Sequence, residues 1–353
     1  MNTLDENKAE AFAQKVLGVL NNGAIALMTS IGHRTGLFDA MADLPPSTTR
    51  EIANAASLNE RYVREWLGAM VTGGFVEYDS QEKKYFLPLE HSVFLTRAAS
   101  PDNMAAFGQY ISVLGSVEDE IVECFHRGGG VPYSSYKRFH SVMAEDSGQT
   151  VLLALEGILS IVPGLIEKLQ TGIDVLDVGC GSGRALNKMA QMYPNSRFRG
   201  YDFSWEGIDN GKKEAQSLSL NNIQFRIKDA ATIDEIARYD LIVTFDAIHD
   251  QARPDAVLKA IFNALRKDGV YLMQDIRASS DVAGNMEHPM APFLYTISCM
   301  HCMTVSLALN GMGLGAMWGE EKALEMLIEA GFKDIEVMQL EHDLQNNYYL
   351  MGK

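Results

Sequence analysis

From Ile173 onward the sequence alternates short apolar runs with helical ones. It ends in two strand-like runs, Ile335–Leu340 and Asn347–Met351, separated only by the polar link Glu341–Asn346. A parallel crossover takes a dozen residues or more, so these two strands must pair antiparallel. Upstream, strands are predicted at Ile173–Val178, Phe198–Asp202, Ile223–Ile227, Leu241–Phe245 and Gly269–Asp275. Helices are predicted from about Arg184, near Gly207–Leu218, and at Pro254–Leu265 and Glu320–Glu329. Such alternation calls for a parallel sheet covered on both faces. The expectation is an α/β fold whose parallel sheet is closed by an antiparallel hairpin.

The chemistry-bearing residues sit at the strand ends. Val175-Leu176-Asp177-Val178-Gly179-Cys180-Gly181-Ser182-Gly183 lies where the first strand turns into a helix, and its glycines let a ligand approach the backbone closely. A dinucleotide fingerprint needs a further glycine at position 184, where this chain has Arg184. Asp177 precedes the first glycine by two residues and suits an ammonium group. Tyr201-Asp202-Phe203 ends the second strand, where a carboxylate can take both hydroxyls of a ribose. Lys228-Asp229-Ala230 ends the third, where a carboxylate can accept from an adenine amino group. Three acids at three successive strand ends fit a cationic adenosyl ligand and fit a diphosphate poorly.

With these motifs the sequence resembles class I S-adenosylmethionine-dependent methyltransferases. It is most similar to two-domain members with an N-terminal winged helix, such as small-molecule O-methyltransferases. The resemblance covers nearly the whole chain. It implies a Rossmann-like seven-stranded sheet of order 3-2-1-4-5-7-6 with strand 7 antiparallel. It also implies S-adenosylmethionine as cofactor, S-adenosylhomocysteine as product and a small-molecule acceptor. Cofactor contacts are then expected from Asp177, Gly179, Cys180, Gly181, Asp202, Phe203, Asp229, Ala230 and Phe245. After the fourth strand comes Phe245-Asp246-Ala247-Ile248-His249-Asp250, and the family's His-Asp pair falls on His249 and Asp250. The resemblance makes His249 the general base, since a hydroxyl acceptor must lose a proton and histidine titrates near ~6.5. The alternative is a histidine that caps or packs at the strand end. The chain departs from the pattern at Gln251, where those enzymes usually carry an aromatic residue.

The N-terminal region reads as helices. Residues 7–35 suggest two, broken at Asn21-Asn22-Gly23. Thr48-Thr49-Arg50-Glu51 is a capping-box signature, and Ser57-Leu58-Asn59-Glu60 repeats it. The following helix places Val63, Trp66, Leu67, Met70 and Val71 on one face and stops at Gly73-Gly74. Phe75–Tyr78 and Lys84–Leu87 then read as a two-stranded wing. A winged helix that reads DNA needs a basic footprint. Residues 1–100 hold nine Lys and Arg against twelve Asp and Glu, and the whole chain carries a net charge of −16. Packing or dimerisation is the preferred role; the family implies a homodimer without a nucleic-acid partner. The rival readings are a winged-helix transcription regulator that senses a small ligand and a nicotinamide-dependent oxidoreductase. The domain layout is 1–100 for the winged helix, 101–170 for a helical bridge turning at Gly128-Gly129-Gly130, and 171–353 for the cofactor-binding domain.

Four scattered cysteines imply a reducing, cytoplasmic setting, and the N-terminal residues do not read as a signal peptide. Pro289–Trp318 has no Asp, Glu, Lys or Arg, but its Ser, His, Asn and Gly content favours a buried helix lining a cavity over a membrane span. Cys299-Met300-His301-Cys302 lacks the further ligands that zinc requires, so no metal is expected. This Met-rich segment reads as part of the substrate wall, with Met300 and His301 facing Tyr133, Tyr136 and His140 from the bridge.

Overall fold

The computed structural model describes residues 4–353. The chain divides into two compact units, one ending at Gly115 and one running Ser116–Lys353.

The first unit begins with α1 (Glu6–Thr35), a single helix of 30 residues where the sequence suggests a break at Asn21-Asn22-Gly23. A glycine costs a helix about 1 kcal/mol relative to alanine and asparagine less, too little to stop a helix with well-made ends. The Asp5 side chain accepts from the Lys8 amide at the start, and Gly36 closes the end in the left-handed conformation. Next come α2 (Leu37–Ala42), α3 (Thr49–Ala55) and α4 (Glu60–Thr72). Thr48 and Glu51 form the predicted capping box on α3. On α4 the cap is Asn59 rather than Ser57: its side chain accepts from the Arg61 amide, and Ser57 turns the chain with φ +56°. Val63, Trp66, Leu67 and Met70 are buried as the spacing predicts, and the Trp66 indole donates to the Met28 carbonyl at 2.8 Å, tying α4 to α1. The wing is β1 (Glu77–Asp79) paired antiparallel with β2 (Lys84–Phe86). The helix Gly108–Gly115 packs against α1.

The second unit holds one seven-stranded sheet. Its strands are β3 (Asp174–Val178), β4 (Arg197–Asp202), β5 (Ile223–Ile227), β6 (Tyr239–Phe245), β7 (Leu265–Ile276), β8 (Lys333–Met338) and β9 (Asn346–Gly352). They lie in the order β5-β4-β3-β6-β7-β9-β8. Counted within the sheet this is 3-2-1-4-5-7-6, and only β9 runs antiparallel to its neighbours. Asp343 holds the closing hairpin: one oxygen accepts the Gln345 and Asn346 amides, the other the Tyr348 hydroxyl. The central strands are buried on both faces, by Leu258 and Ile261 of the helix Pro254–Ala264 on one side and by Leu186 and Met189 of Arg184–Met192 on the other.

The uncharged segment forms a continuous helical run, Ala291–Ala308. By length and composition it is apolar enough to cross a membrane, yet 44% of it is buried inside the protein. Buried Ser306 donates to the Gln251 carbonyl at 2.8 Å. The triple glycine meets this run: a Cβ on Gly130 would lie 2.0 Å from the Thr304 carbonyl oxygen, so only glycine fits there.

Because α1 is unbroken and nothing lies within 4 Å of a Cβ built on Gly23, Gly23→Ala should stabilise the first unit by about 1 kcal/mol. Thermal unfolding checks this; an unchanged or lowered midpoint would contradict the continuous helix.

Candidate active site

The turn after β3 is held open by backbone geometry. Gly179, Gly181 and Gly183 all have positive φ. A Cβ on Gly179 would stand 2.5 Å from the Ala247 side chain at the tip of β6, so glycine is obligatory there. The Gly179 and Cys180 amides both donate to the Tyr201 carbonyl, pinning the turn to β4. Asp202 completes the tie: one carboxylate oxygen accepts the Gly181 amide at 2.8 Å, the other the Ser204 amide at 2.7 Å.

Two connected cavities open over these strand tips. The first is lined by Asp177, the Gly179–Gly183 turn, Phe245 and Asp246, with Phe139, His140, Met143, Val151 and Leu152 opposite. The second is lined by Lys228, Asp229, Ala230, Arg253, Val257 and Leu309. Tyr133, Gly179, Asp202, Phe203, Asp250 and Gln251 line both. All nine residues expected to contact the cofactor therefore border one continuous crevice.

The crevice suits a cationic nucleoside. Asp177 is buried, its Oδ1 has no hydrogen-bond partner, and burial together with the neighbouring Asp202 pushes its carboxyl up to about 8. Asp202 is likewise raised by burial, against the backbone bonds it accepts. It lines both cavities. Asp229 accepts the Ala231 amide at 2.9 Å and lines the second cavity.

The His249–Asp250 pair divides. His249 is buried and lines neither cavity. Its Nδ1 lies 2.7 Å from Asp275 Oδ1, an oxygen that also accepts the Trp318 indole at 3.0 Å and the Ile276 amide at 2.8 Å. The Cys302 thiol forms a further side-chain contact with the ring. Burial works against a charge on His249, but Asp275 and then Cys302 outweigh it, so the imidazole titrates well above its usual range. Asp250 lines both cavities, and burial raises its carboxyl to about 6 against the pull of His249.

Of the residues expected to contact the acceptor, Tyr133 and His140 line the crevice, with His140 Nε2 3.4 Å from the Ser204 hydroxyl. Tyr136, Met300 and His301 stand behind its wall. The Tyr136 hydroxyl donates to the Met300 carbonyl, and His301 stacks on Phe139 with ring centroids 3.5 Å apart. Burial pushes the His301 imidazole down to about 3, so the ring is neutral packing. The group whose spacing approaches that of metal ligands is not Cys299–Cys302 but Asp246, His249 and Asp275, whose ligand atoms lie within 4.8 Å of one another. Asp275 Oδ1 there is already engaged by three donors. Sequence reasoning did not single out Asp246, Asp275 or Trp318, and it weighed Cys302 only within the Cys299–Cys302 motif. The available signal was adjacency, since strand ends on neighbouring β6 and β7 must meet.

Comparison with known proteins agrees with this geometry. Residues 169–331 match a family model described as a methyltransferase domain, and residues 23–97 match an Rv2258c-like winged HTH domain. Residues 169–331 of the chain form a methyltransferase domain. Over its full length the chain shares its fold with human N-acetylserotonin methyltransferase solved with SAM (16% identity, TM-score 0.71, covering 100% of this chain and 99% of that one). It also shares it with the mitomycin 7-O-methyltransferase MmcR (14%, 0.72, 99% and 100%). Among curated sequences, (S)-coclaurine N-methyltransferase of Thalictrum flavum subsp. glaucum is 27% identical over 109 residues, which is 31% of this chain and 30% of that one. The fatty-acid O-methyltransferase of Mycolicibacterium smegmatis is 26% identical over 111 residues, 31% and 40% respectively. The chain thus spans less than half the length of these curated relatives.

The raised carboxyl of Asp177 gives a calorimetric signature. At pH 7 it is protonated in the free protein, and the ammonium of S-adenosylhomocysteine favours its ionised form. Binding should therefore release close to one proton at pH 7 and almost none at pH 9. Titrations in buffers of different ionisation enthalpy measure this, and Asp177→Asn should abolish the release.

Proposed function

We propose that this methyltransferase carries the methyl group of S-adenosylmethionine to an oxygen of a small organic acceptor. The observation that supports this most directly is the row of acids at three strand tips, with an unpartnered, fully buried Asp177 oxygen at its head. The cofactor supplies an electrophilic methyl group on a sulfonium, so the protein's work is alignment and exclusion of water. Asp177 holds the ammonium, Asp202 the ribose hydroxyls and Asp229 the adenine amino group. Tyr133, His140 and Phe139 close the crevice on the acceptor side, and their aromatic faces favour an apolar or aromatic acceptor. In-line displacement leaves a proton on the acceptor oxygen, and the His249–Asp250 pair receives it. Oxygen is preferred because MmcR and the mycobacterial relative are both named for O-methyl transfer.

The winged helix is read as a pairing module. Arg61 and Arg64 of α4 are bound by Glu65 and Glu60 on the same helix, which leaves them poorly placed for phosphates. Along α1, Phe12, Val16, Leu17 and Leu20 are all more than half exposed, an apolar stripe suited to a second copy of this chain. The acidic, disulfide-free chain suits the cytoplasm.

Three measurements test these statements. Asp202→Ala should weaken S-adenosylhomocysteine binding at least tenfold by calorimetry while the fold persists by circular dichroism; retained affinity would remove the cofactor assignment. A small-molecule extract incubated with methyl-labelled cofactor and wild-type protein should yield a labelled product whose ether or ester linkage identifies oxygen. Light scattering should separately give the mass of a dimer, reduced to a monomer by Val16→Glu with Leu20→Glu; a wild-type monomer would refute pairing through α1.

A further inference from the structure

Resting on the reading of the crevice as the cofactor's, we propose that Arg184 binds the carboxylate of the methionine moiety, and so selects an adenosyl ligand that carries the whole amino acid. The methionine end of that cofactor is a zwitterion. Asp177 answers its ammonium group, but its carboxylate enters a cavity rich in acids. Asp177, Asp202, Asp246 and Asp250 all border the first cavity, and among the described residues Arg184 is the only lysine or arginine that does. Without that guanidinium the carboxylate would meet only like charge. The cations of the second cavity are placed elsewhere. Lys228 is held by Asp234 and Glu235 at 2.6 and 3.0 Å, and Arg253 borders the second cavity but not the first.

Backbone and side chain point to the same ligand. Arg184 opens the helix Arg184–Met192, whose N-terminus has no side-chain cap, and Arg184 and Ala185 both border the first cavity. A helix start favours an anion through its unpaired amides and its dipole. The buried, unpartnered Oδ1 of Asp177 in the same cavity is an independent sign that the ligand also carries a cationic group. The guanidinium is already aimed across the crevice. Its Nη1 donates to the Ala144 carbonyl at 2.7 Å, near the end of the helix Phe139–Ser147 on the opposite wall. Among the described residues this is the side chain's one hydrogen bond, which leaves the rest of its fork for a carboxylate. Gly148 keeps that path open: a Cβ there would stand 3.3 Å from Nη1 and crowd it. Arg184 also occupies the place where a dinucleotide fingerprint carries a further glycine. The residue that breaks the diphosphate pattern thus supplies the charge an amino acid requires.

Calorimetry with two ligands tests this. S-adenosylhomocysteine carries the whole amino acid; its decarboxylated form keeps the nucleoside, the thioether and the ammonium group and lacks only the carboxylate. Wild type should bind S-adenosylhomocysteine about tenfold or more tightly than the decarboxylated ligand. Arg184→Gln should lose about tenfold in affinity for S-adenosylhomocysteine. It should bind the decarboxylated ligand as wild type does, so that the two affinities converge. That second affinity also reports a folded site. Arg184→Lys keeps a cation and should retain part of the preference; it decides by the same ratio if Arg184→Gln binds neither ligand. A residue that merely ties the Ala144 wall would weaken both ligands together and leave their ratio unchanged. That result, or wild-type affinity for S-adenosylhomocysteine in Arg184→Gln, would overturn the proposal. If wild type binds neither ligand, the cofactor reading itself fails and Arg184 has no carboxylate to bind.

Discussion

The tips of β3 and β6 approach so closely at Gly179 and Ala247 that no side chain fits between them, and the rest of the site depends on that contact. It brings the end of β6, with Phe245, Asp246 and the Ala247–Asp250 loop, against the turn after β3. The backbone of that turn is thereby exposed to the crevice rather than covered. Asp202 then fixes the same turn from the β4 side through two amide bonds. The crevice is thus defined by main chain and short acids, which move little, while larger side chains supply its opposite wall.

Much of this was legible in the sequence, for identifiable reasons. Strands read well because their apolar runs are short and bounded by acids and glycines; β3 to β9 fall within a few residues of the predicted ranges. The antiparallel hairpin followed from link length alone. The acids at Asp177, Asp202 and Asp229 were recognisable because each follows an apolar strand directly. Local propensity misled in α1, where Asn21-Asn22-Gly23 reads as a break, since the energies that end a helix are small beside its capping and length. The cap on α4 slipped from Ser57 to Asn59 because both residue types cap well and only tertiary packing selects between them.

The role of His249 lay beyond the sequence. Its neighbours Asp275, Trp318 and Cys302 are 26, 69 and 53 positions downstream on β7, on the loop before the helix Gly319–Ala330 and in the apolar insertion. Nothing in the spacing near residue 249 announces them. The same holds for His301, which reads as a pocket ligand but stacks on Phe139 as a neutral ring. Histidines are ambiguous in sequence because one side chain can be base, cation or packing, and only its neighbours choose among these.

Gly130 has a consequence for how this chain can vary over time. Its Cα rests on the backbone of the helix Met303–Ala308, and the Val131 amide donates to Thr304 Oγ1 at 2.8 Å. Two segments more than 170 residues apart in sequence are thereby locked at a fixed offset. Insertions or deletions can accumulate at Gly128 and Gly129, where a Cβ would meet open space. One residue later, any change of length would slide Tyr133 along the crevice and alter the shape of both cavities it lines. Drift in the shape of the crevice among descendants of this chain has a natural entry point there.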